Sequence, residues 1–425
     1  MPAKKNRIRG GTPATGWLIR YNIGFDDTHK NRVTMKHYTN SAERLVKDLM
    51  AVEGRSGREG RVMELIVQRL RQAGLPAAAI QFDQAHRRSG QGGEIGNLAV
   101  KLSGTVRGGR RMLMAHADTV PLCEGARPVR RGRWIVPADK HTALGADNRA
   151  GCAVVLAAAV EILRRKLPHP PLTFFWTVQE EIGLQGARYA RLGMLGKPRL
   201  AFNFDGGSAT KLTVGATGGY RMDIRITGIA AHAGNAPEDG VNAITITSLA
   251  IAQLHREGWL GRIDKNGRTG TSNVGIIRGG EVTNVVTPLV ELRAEARSHD
   301  SAFRRQIVRA IERAFAKAPR SVRNREGARG RVQIDGRLDY EAFLLPDDEP
   351  SVLAAEDAIR HVGGEPVRGV TNGGVDANWM TARGIPTVTL GCGQENGHMV
   401  SERMDLEEFG RACRVALWLA TGASS

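Results

Sequence analysis

With 425 residues the chain is too long for one ordinary core and points to two domains, and its 41% hydrophobic content excludes a disordered or fibrous class. It contains no apolar run of about 18 residues, and its opening M-P-A-K-K-N-R-I-R-G-G-T has no apolar signal core, so neither a transmembrane helix nor a secretory signal is expected. The formal charge of +18 would suit nucleic acid or an anionic surface, but basic residues are not interleaved with aromatics and no nucleic-acid motif is present. A solvated basic face with a basic tail is the expected reading, with no specific nucleic acid or membrane partner. Cys123, Cys152, Cys392 and Cys413 form no C-x-x-C pair and are expected as reduced thiols in a cytoplasmic protein.

Residues 1–38 lack periodicity, carry eight basic residues against Asp26 and Asp27 in their first 36, and are expected as a basic, partly disordered extension. A helix is predicted to begin at Asn40 with Glu43 as its capping partner. Ser56 and Glu59 repeat that signature before Val62, Met63, Ile66, Val67 and Leu70. Gly74 and Pro76 stop this second helix. Strands are predicted at 98–102 and 112–116, then an alanine-rich buried helix at 149–167. Continuous apolar strands follow at 172–178 and 200–204, of the kind covered on both faces.

Near Gly215 the pattern changes. A half-exposed strand (220–227), a helix (241–257), two strands (273–277, 290–297), a basic amphipathic helix (302–317) and a strand (331–334) give the order β-α-β-β-α-β of a split ferredoxin-like unit. From about Tyr340 the α/β pattern resumes and supplies Asp376 and His398. The expected organisation is therefore an α/β catalytic domain of residues 39–216 and 339–425, interrupted by an α+β domain of residues 217–338.

The motifs that carry chemistry lie mostly where strands stop, which is where open α/β sheets bind ligands. They are H-A-D-T-V (His116, Asp118), G-A-D-N-R-A-G (Asp147), Q-E-E-I-G-L-Q-G-A (Glu180, Glu181), F-D-G-G (Asp205) and G-H-M-V-S-E (His398). Each alone has an ordinary explanation: Asp147 as an N-cap, the glutamates as a solvated loop, F-D-G-G as a turn. Together, imidazole nitrogens and carboxylate oxygens are the donors of a catalytic zinc site, and two ions roughly 3.5–4 Å apart need a bridging carboxylate. Asp147, on a tight turn at a helix start, is the natural bridge among His116, Asp147, Glu181, Asp205 and His398. Asp118 is placed to accept the His116 ring N–H. Adjacent Glu180 and Glu181 diverge, so one can bind metal while the other acts as general base.

The ordered motif set, with A-H-A-G-N-A-P, resembles the co-catalytic zinc exopeptidases over residues 40–420, and its E-E-I-G-x-x-G-A and D-G-G forms are most similar to the peptidase T (tripeptide aminopeptidase) branch. The resemblance implies a zinc-exopeptidase-like α/β/α catalytic domain with an inserted ferredoxin-like dimerisation lid. It implies two Zn2+ per subunit, with Co2+ or Mn2+ as substitutes in vitro. His116, Asp147 and Asp205 would hold one ion, and Asp147, Glu181 and His398 the other. Glu180 would be the general base to a metal-bridging hydroxide, Asp118 the supporting carboxylate, and the Asp147–Asn148 peptide bond cis. In the lid, His232 would polarise the scissile carbonyl, often in the partner subunit of a homodimer, while Asn284 and Arg297 grip the substrate. The basic N-terminal segment and the G-G-V-D-A-N loop around Gly374 and Asp376 depart from the pattern. The function expected is a metalloaminopeptidase cleaving short peptides. The alternatives are an amidohydrolase acting on N-acyl amino acids, or a non-catalytic basic binding protein on a peptidase scaffold, against which the complete ligand and base set argues.

Overall fold

The computed structural model describes residues 29–422. Four inner strands of a nine-stranded sheet run parallel in the spatial order Leu172–Thr177, Arg111–His116, Leu200–Phe204, Thr387–Leu390. All four are buried along their whole length, as expected of mainly apolar strands covered on both faces. Alternation sends Leu113 and Ala115 to one face and Met112 and Met114 to the other. On the first face lies the helix Ala146–Arg165, itself covered by His29–Met50 and Leu406–Thr421. Each fully buried side chain of its interior, such as Val154 or Leu156, contributes about 1.5–3 kcal/mol. On the second face Met112, Met114 and Phe175 meet Met380 and Ile385. The catalytic-side architecture is thus α/β/α.

Two expected helix starts are displaced. The first helix begins at His29, with Asn40 exposed in its interior. Met35, Tyr38, Ala42, Val46 and Leu49 extend the apolar stripe upstream, and the Tyr38 hydroxyl donates to Cys413 O at 3.0 Å. Tertiary packing therefore outweighs the local capping signal. Of the expected N-terminal extension, residues 29–38 belong to this helix, and residues 1–28 lie outside the described residues. The second helix, Gly60–Gln72, has Glu59 at its N-cap position without a side-chain cap. Ser56 and Glu59 serve other partners, described below.

Residues 218–340 build a separate antiparallel sheet in the order Gly261–Lys265, Arg268–Gly279, Leu289–Ser298, Gly218–Thr227, Arg331–Tyr340. It has one strand more than β-α-β-β-α-β. Asn266 and Gly267, both at positive φ (53° and 71°), turn Gly261–Lys265 back along Arg268–Gly279. The helices Ala243–Arg256 and Ser301–Lys317 cover one face, around Ile224, Ile226, Leu292, Phe303 and Ile307. The other face is a ladder of ion pairs, including Arg293–Asp223 at 2.8 Å and Arg221–Asp339 at 2.7 Å.

A third, four-stranded sheet was not foreseen. Pro128–Arg131 and Trp134–Pro137 pair with Arg403–Asp405 and Gln394–Glu395, which fixes the loop carrying His398. Arg133 and Arg403 both pack on the Trp134 ring, with guanidinium carbons 5.1 and 3.9 Å from its centroid. The four cysteines are free and buried. Among the described residues no helix is long and apolar enough to cross a membrane.

Candidate metal centre

His116 ends its strand, Asp205 follows directly after Phe204, and Glu180 and Glu181 lie just beyond Thr177, so three parallel strands deliver their groups to one edge of the sheet. Asp147 arrives from the helix side. Gly145, at φ 77°, reverses the chain there, and the Asp147–Asn148 peptide bond is cis. His398 comes from the loop of the small sheet. Gly397 must be bare for that approach, because a Cβ on it would stand 2.9 Å from Asp147 Oδ2.

The two oxygens of Asp147 face two different imidazoles. Its Oδ1 is 3.2 Å from His116 Nε2, and its Oδ2 is 3.4 Å from His398 Nε2. Asp205 Oδ2 completes the first group at 3.9 Å from His116 Nε2, and Glu181 completes the second at 2.8 Å from His398 Nε2. Within each of the groups His116–Asp147–Asp205 and Asp147–Glu181–His398, the donor atoms all lie within 4.8 Å of one another. Asp147 is common to both, the position a bridging ligand requires.

Buried carboxylates behind this set hold the ligand loops by their backbone amides. Asp118 accepts from the N–H groups of Glu180 and Glu181 at 2.9 and 3.1 Å and from Ser56 Oγ at 2.6 Å. His116 Nδ1 is nearer the Asp118 carbonyl oxygen (3.2 Å) than its carboxylate (3.5 Å). Glu59 accepts from Gly57 and Gln179 N–H at 2.7 and 3.1 Å. Glu402 accepts from Leu144, Gly145 and Asp147 N–H at 2.7–2.9 Å. Gln394 Nε2 donates to Asp205 Oδ1 at 3.1 Å. Ser56, Glu59, Gln394 and Glu402 were not singled out for the site from the sequence. Glu402 had a signal, since it closes the same G-H-M-V-S-E motif as His398.

Five carboxylates (Asp118, Asp147, Glu180, Glu181, Asp205) crowd two imidazoles. Burial pushes the carboxyl of Glu181 up to about 7 and that of Asp205 to about 6, with the neighbouring Asp147 charge adding to each. Glu180 is raised well above the ordinary carboxyl range, chiefly by burial. Hydrogen bonds to Asp147 and Glu181 raise the His398 imidazole to about 10. For Asp147 burial acts upward, but the hydrogen bonds from His116 and His398 outweigh it and hold the carboxyl below its usual range. Such an excess of buried negative charge, on oxygen and imidazole donors, fits divalent cations.

His116, Asp147, Glu180, Glu181, Asp205 and His398 line one cavity of about 500 Å3 that also takes in Arg297. Arg297 is not free there: its fork binds Glu295 through two contacts of 3.0 Å. His232 and Asn284 are neighbours on exposed loops, linked by Ala233 N–H to Asn284 O at 2.9 Å, and do not line the cavity of their own chain. His232 Nδ1 accepts from the N–H groups of Gly234 and Asn235, both at 3.1 Å, which leaves Nε2 as the proton-bearing nitrogen of the neutral ring. Asp376 is buried against Thr177 Oγ1, with its other oxygen unpartnered, and its carboxyl is pushed up to about 7 mainly by burial.

Residues 112–421 match the model of peptidase family M20/M25/M40. The chain is similar to the uncharacterized protein YqjE of Bacillus subtilis, 31% identical over 363 residues, covering 85% of this chain and 92% of that one. It is also similar to peptidase T of Serratia proteamaculans, at 26% identity over 68% of each chain. Among solved structures, aminopeptidase PepT from Bacillus cereus superposes with a TM-score of 0.76 at 29% identity, covering 90% of this chain and 98% of that one. A tripeptidase from Staphylococcus aureus gives 0.79 at 28% identity with the same coverage. The match extends from the His116 strand to the last helix and so spans every ligand-bearing motif; this chain belongs to peptidase family M20/M25/M40.

Proposed function

We propose that the protein is a di-zinc aminopeptidase of short peptides, tripeptidase-like in specificity. The observation that carries this reading is the pair of donor groups sharing Asp147, with Glu180 beside them in the same cavity. The likeness to a PepT and a tripeptidase across 90% of the chain supports the peptide substrate. His116, Asp147 and Asp205 would hold one zinc, and Asp147, Glu181 and His398 the other. When bound, the pair supplies Lewis acidity at the scissile carbonyl and makes water acidic enough to attack near neutral pH. Glu180 takes a proton from the attacking water and returns it to the leaving amine nitrogen. Burial raises its carboxyl above the ordinary range, the direction that favours holding the proton it takes. Asp118 holds Glu180 and Glu181 through their backbone amides. Arg297, once it releases or shares Glu295, offers a planar fork to the substrate's C-terminal carboxylate, with Asn284 as a second contact.

A hydrolysis screen of tripeptides, dipeptides and N-acyl amino acids by the zinc-loaded enzyme tests the reading. Tripeptides should be cleaved at least about tenfold faster in kcat/KM than the other classes, ~1.4 kcal/mol of transition-state discrimination. A preference for N-acyl amino acids would replace the peptidase with the amidohydrolase.

The segment 217–338 is proposed as a dimerisation lid. Ile244, Ile276, Ile277, Val282 and Leu289 are exposed apolar residues on it, and His232 needs a second chain or a lid movement to meet substrate. Glu180→Ala and His232→Ala should each be inactive alone and should recover activity when mixed under subunit exchange, because one heterodimer site receives both intact groups. Lack of rescue despite confirmed exchange would assign His232 to its own chain's site or to none.

A further inference from the structure

Three cations line the cavity of the candidate metal centre: Lys211, Arg221 and Arg297. Two of them are already committed. Arg221 Nε lies 2.7 Å from Asp339 Oδ2, and Arg297 is held by both oxygens of Glu295. Among the described residues the Lys211 ammonium has no carboxylate or hydrogen-bond partner. A ligand anion approaching Arg221 or Arg297 competes with a protein carboxylate already bound there, whereas at Lys211 it displaces only water.

The local structure is built to present that ammonium. Lys211 opens the strand Lys211–Ala216, six residues after Asp205, and its stem passes over the bare backbone of Gly369, where a Cβ would stand 3.3 Å from Lys211 Cε. Thr213, two residues on, emerges on the same face and also lines the cavity. Thr371, from the strand paired in parallel, lines it too. Thr371 Oγ1 accepts from Gly373 N–H at 3.2 Å, so its own hydrogen remains available to donate. This part of the lining therefore combines a full positive charge with hydroxyl donors. The carboxylates Asp147, Glu180, Glu181 and Asp205 are drawn to the metal side of the same cavity.

We propose that Lys211, with Thr213 and Thr371, forms a subsite for a carboxylate side chain of the substrate, so that the enzyme prefers peptides containing Glu or Asp. This rests on the peptidase reading above. The test compares Ala-Ala-Ala scaffolds carrying Glu or Gln at each position in turn, and C-terminally amidated forms, on wild type, Lys211→Met, Lys211→Arg and Lys211→Glu. At one position wild type should favour Glu over Gln about tenfold in kcat/KM, the size of a hydrogen-bonded ion pair in a half-open site. The ratio should fall to about one in Lys211→Met, survive in Lys211→Arg, and turn in favour of a Lys-containing peptide in Lys211→Glu. The same peptides titrated calorimetrically into metal-loaded Glu180→Ala protein read the subsite without turnover. Hydrolysis with equal Glu:Gln ratios in wild type and Lys211→Met overturns the subsite and leaves the peptidase standing. Lys211-dependent binding without hydrolysis does the reverse. An effect of Lys211→Met on amidation, with none on the Glu:Gln ratio, would reassign the lysine to the C-terminal carboxylate and overturn the side-chain proposal.

Discussion

Glu180→Ala should keep its full metal content and lose about 10²–10⁴-fold in kcat. The geometry separates this residue from its neighbour. Glu181 and Asp147 both approach His398 Nε2, and they form a donor group with it. Glu180 lines the same cavity and falls with His116 and Glu181 in a third donor group, but it has no place in either group that shares Asp147. Its backbone N–H is anchored on Asp118 Oδ1 at 2.9 Å, so truncating the side chain leaves the loop in position. Burial raises its carboxyl above the ordinary range, the direction that favours a group holding a proton in transit. Elemental analysis and turnover on the same preparation check the two halves together. A variant keeping more than a tenth of wild-type kcat, ~1.4 kcal/mol of barrier, would remove Glu180 from the base role. A variant losing a metal would make Glu180 a ligand.

The residues of the two donor groups that share Asp147 were legible as one cluster because each sits at a discontinuity between two patterns. Leu200–Phe204 is a buried strand, apolar but for Asn203, and such a strand stopping at Asp205 announces a polar crevice. Asp147 is marked by the glycine before it and the alanine-rich helix after it. The supporting residues were less legible because their partners are distant in sequence. Ser56 and Glu59 carry a capping signature three residues apart, yet their side chains serve Asp118 and Gln179, 62 and 120 residues away. A propensity worth about 1 kcal/mol at a helix start is easily outweighed by a charged hydrogen-bond network in a buried site. Glu402, one glutamate on a loop, reveals its role only when three backbone amides converge on it. The antiparallel sheet of residues 218–340 shows a different case. Arg297 was expected to grip substrate, but its fork is filled by Glu295, two residues earlier in E-A-R-S, where the two-residue period of a strand puts both on one face.

Asp147→Ala should lose both metals, not one. No other described residue belongs to both donor groups that contain it, and each of its oxygens is directed at a different imidazole. Removing Asp205 should cost mainly the first metal, and removing Glu181 mainly the second. Removing Asp147 withdraws a donor from each of the two groups that share it and leaves a two-residue remnant of either, too few for a tight site; the remaining group, His116–Glu180–Glu181, includes the residue assigned as base, so a zinc retained there would cost activity. Wild type should therefore approach about two zinc equivalents after dialysis, Asp205→Ala and Glu181→Ala about one, and Asp147→Ala close to none. Thermal unfolding provides a readout independent of turnover. A ligand that binds only the folded state stabilises it by about 4 kcal/mol at a thousandfold excess over Kd, so zinc should raise the wild-type Tm and leave that of Asp147→Ala nearly unchanged. Glu402→Gln refines the test. It keeps the side-chain shape but replaces one of the two accepting oxygens with an NH2 that cannot accept, so either the Asp147 N–H or the Leu144 and Gly145 N–H groups lose their partner and the bridge should loosen without being removed. Its zinc affinity should fall about 10–100-fold, the usual cost of losing a group that orients a ligand. If Asp147→Ala still bound one zinc tightly, Asp147 would belong to a single metal, and the shared-carboxylate centre would have to be abandoned.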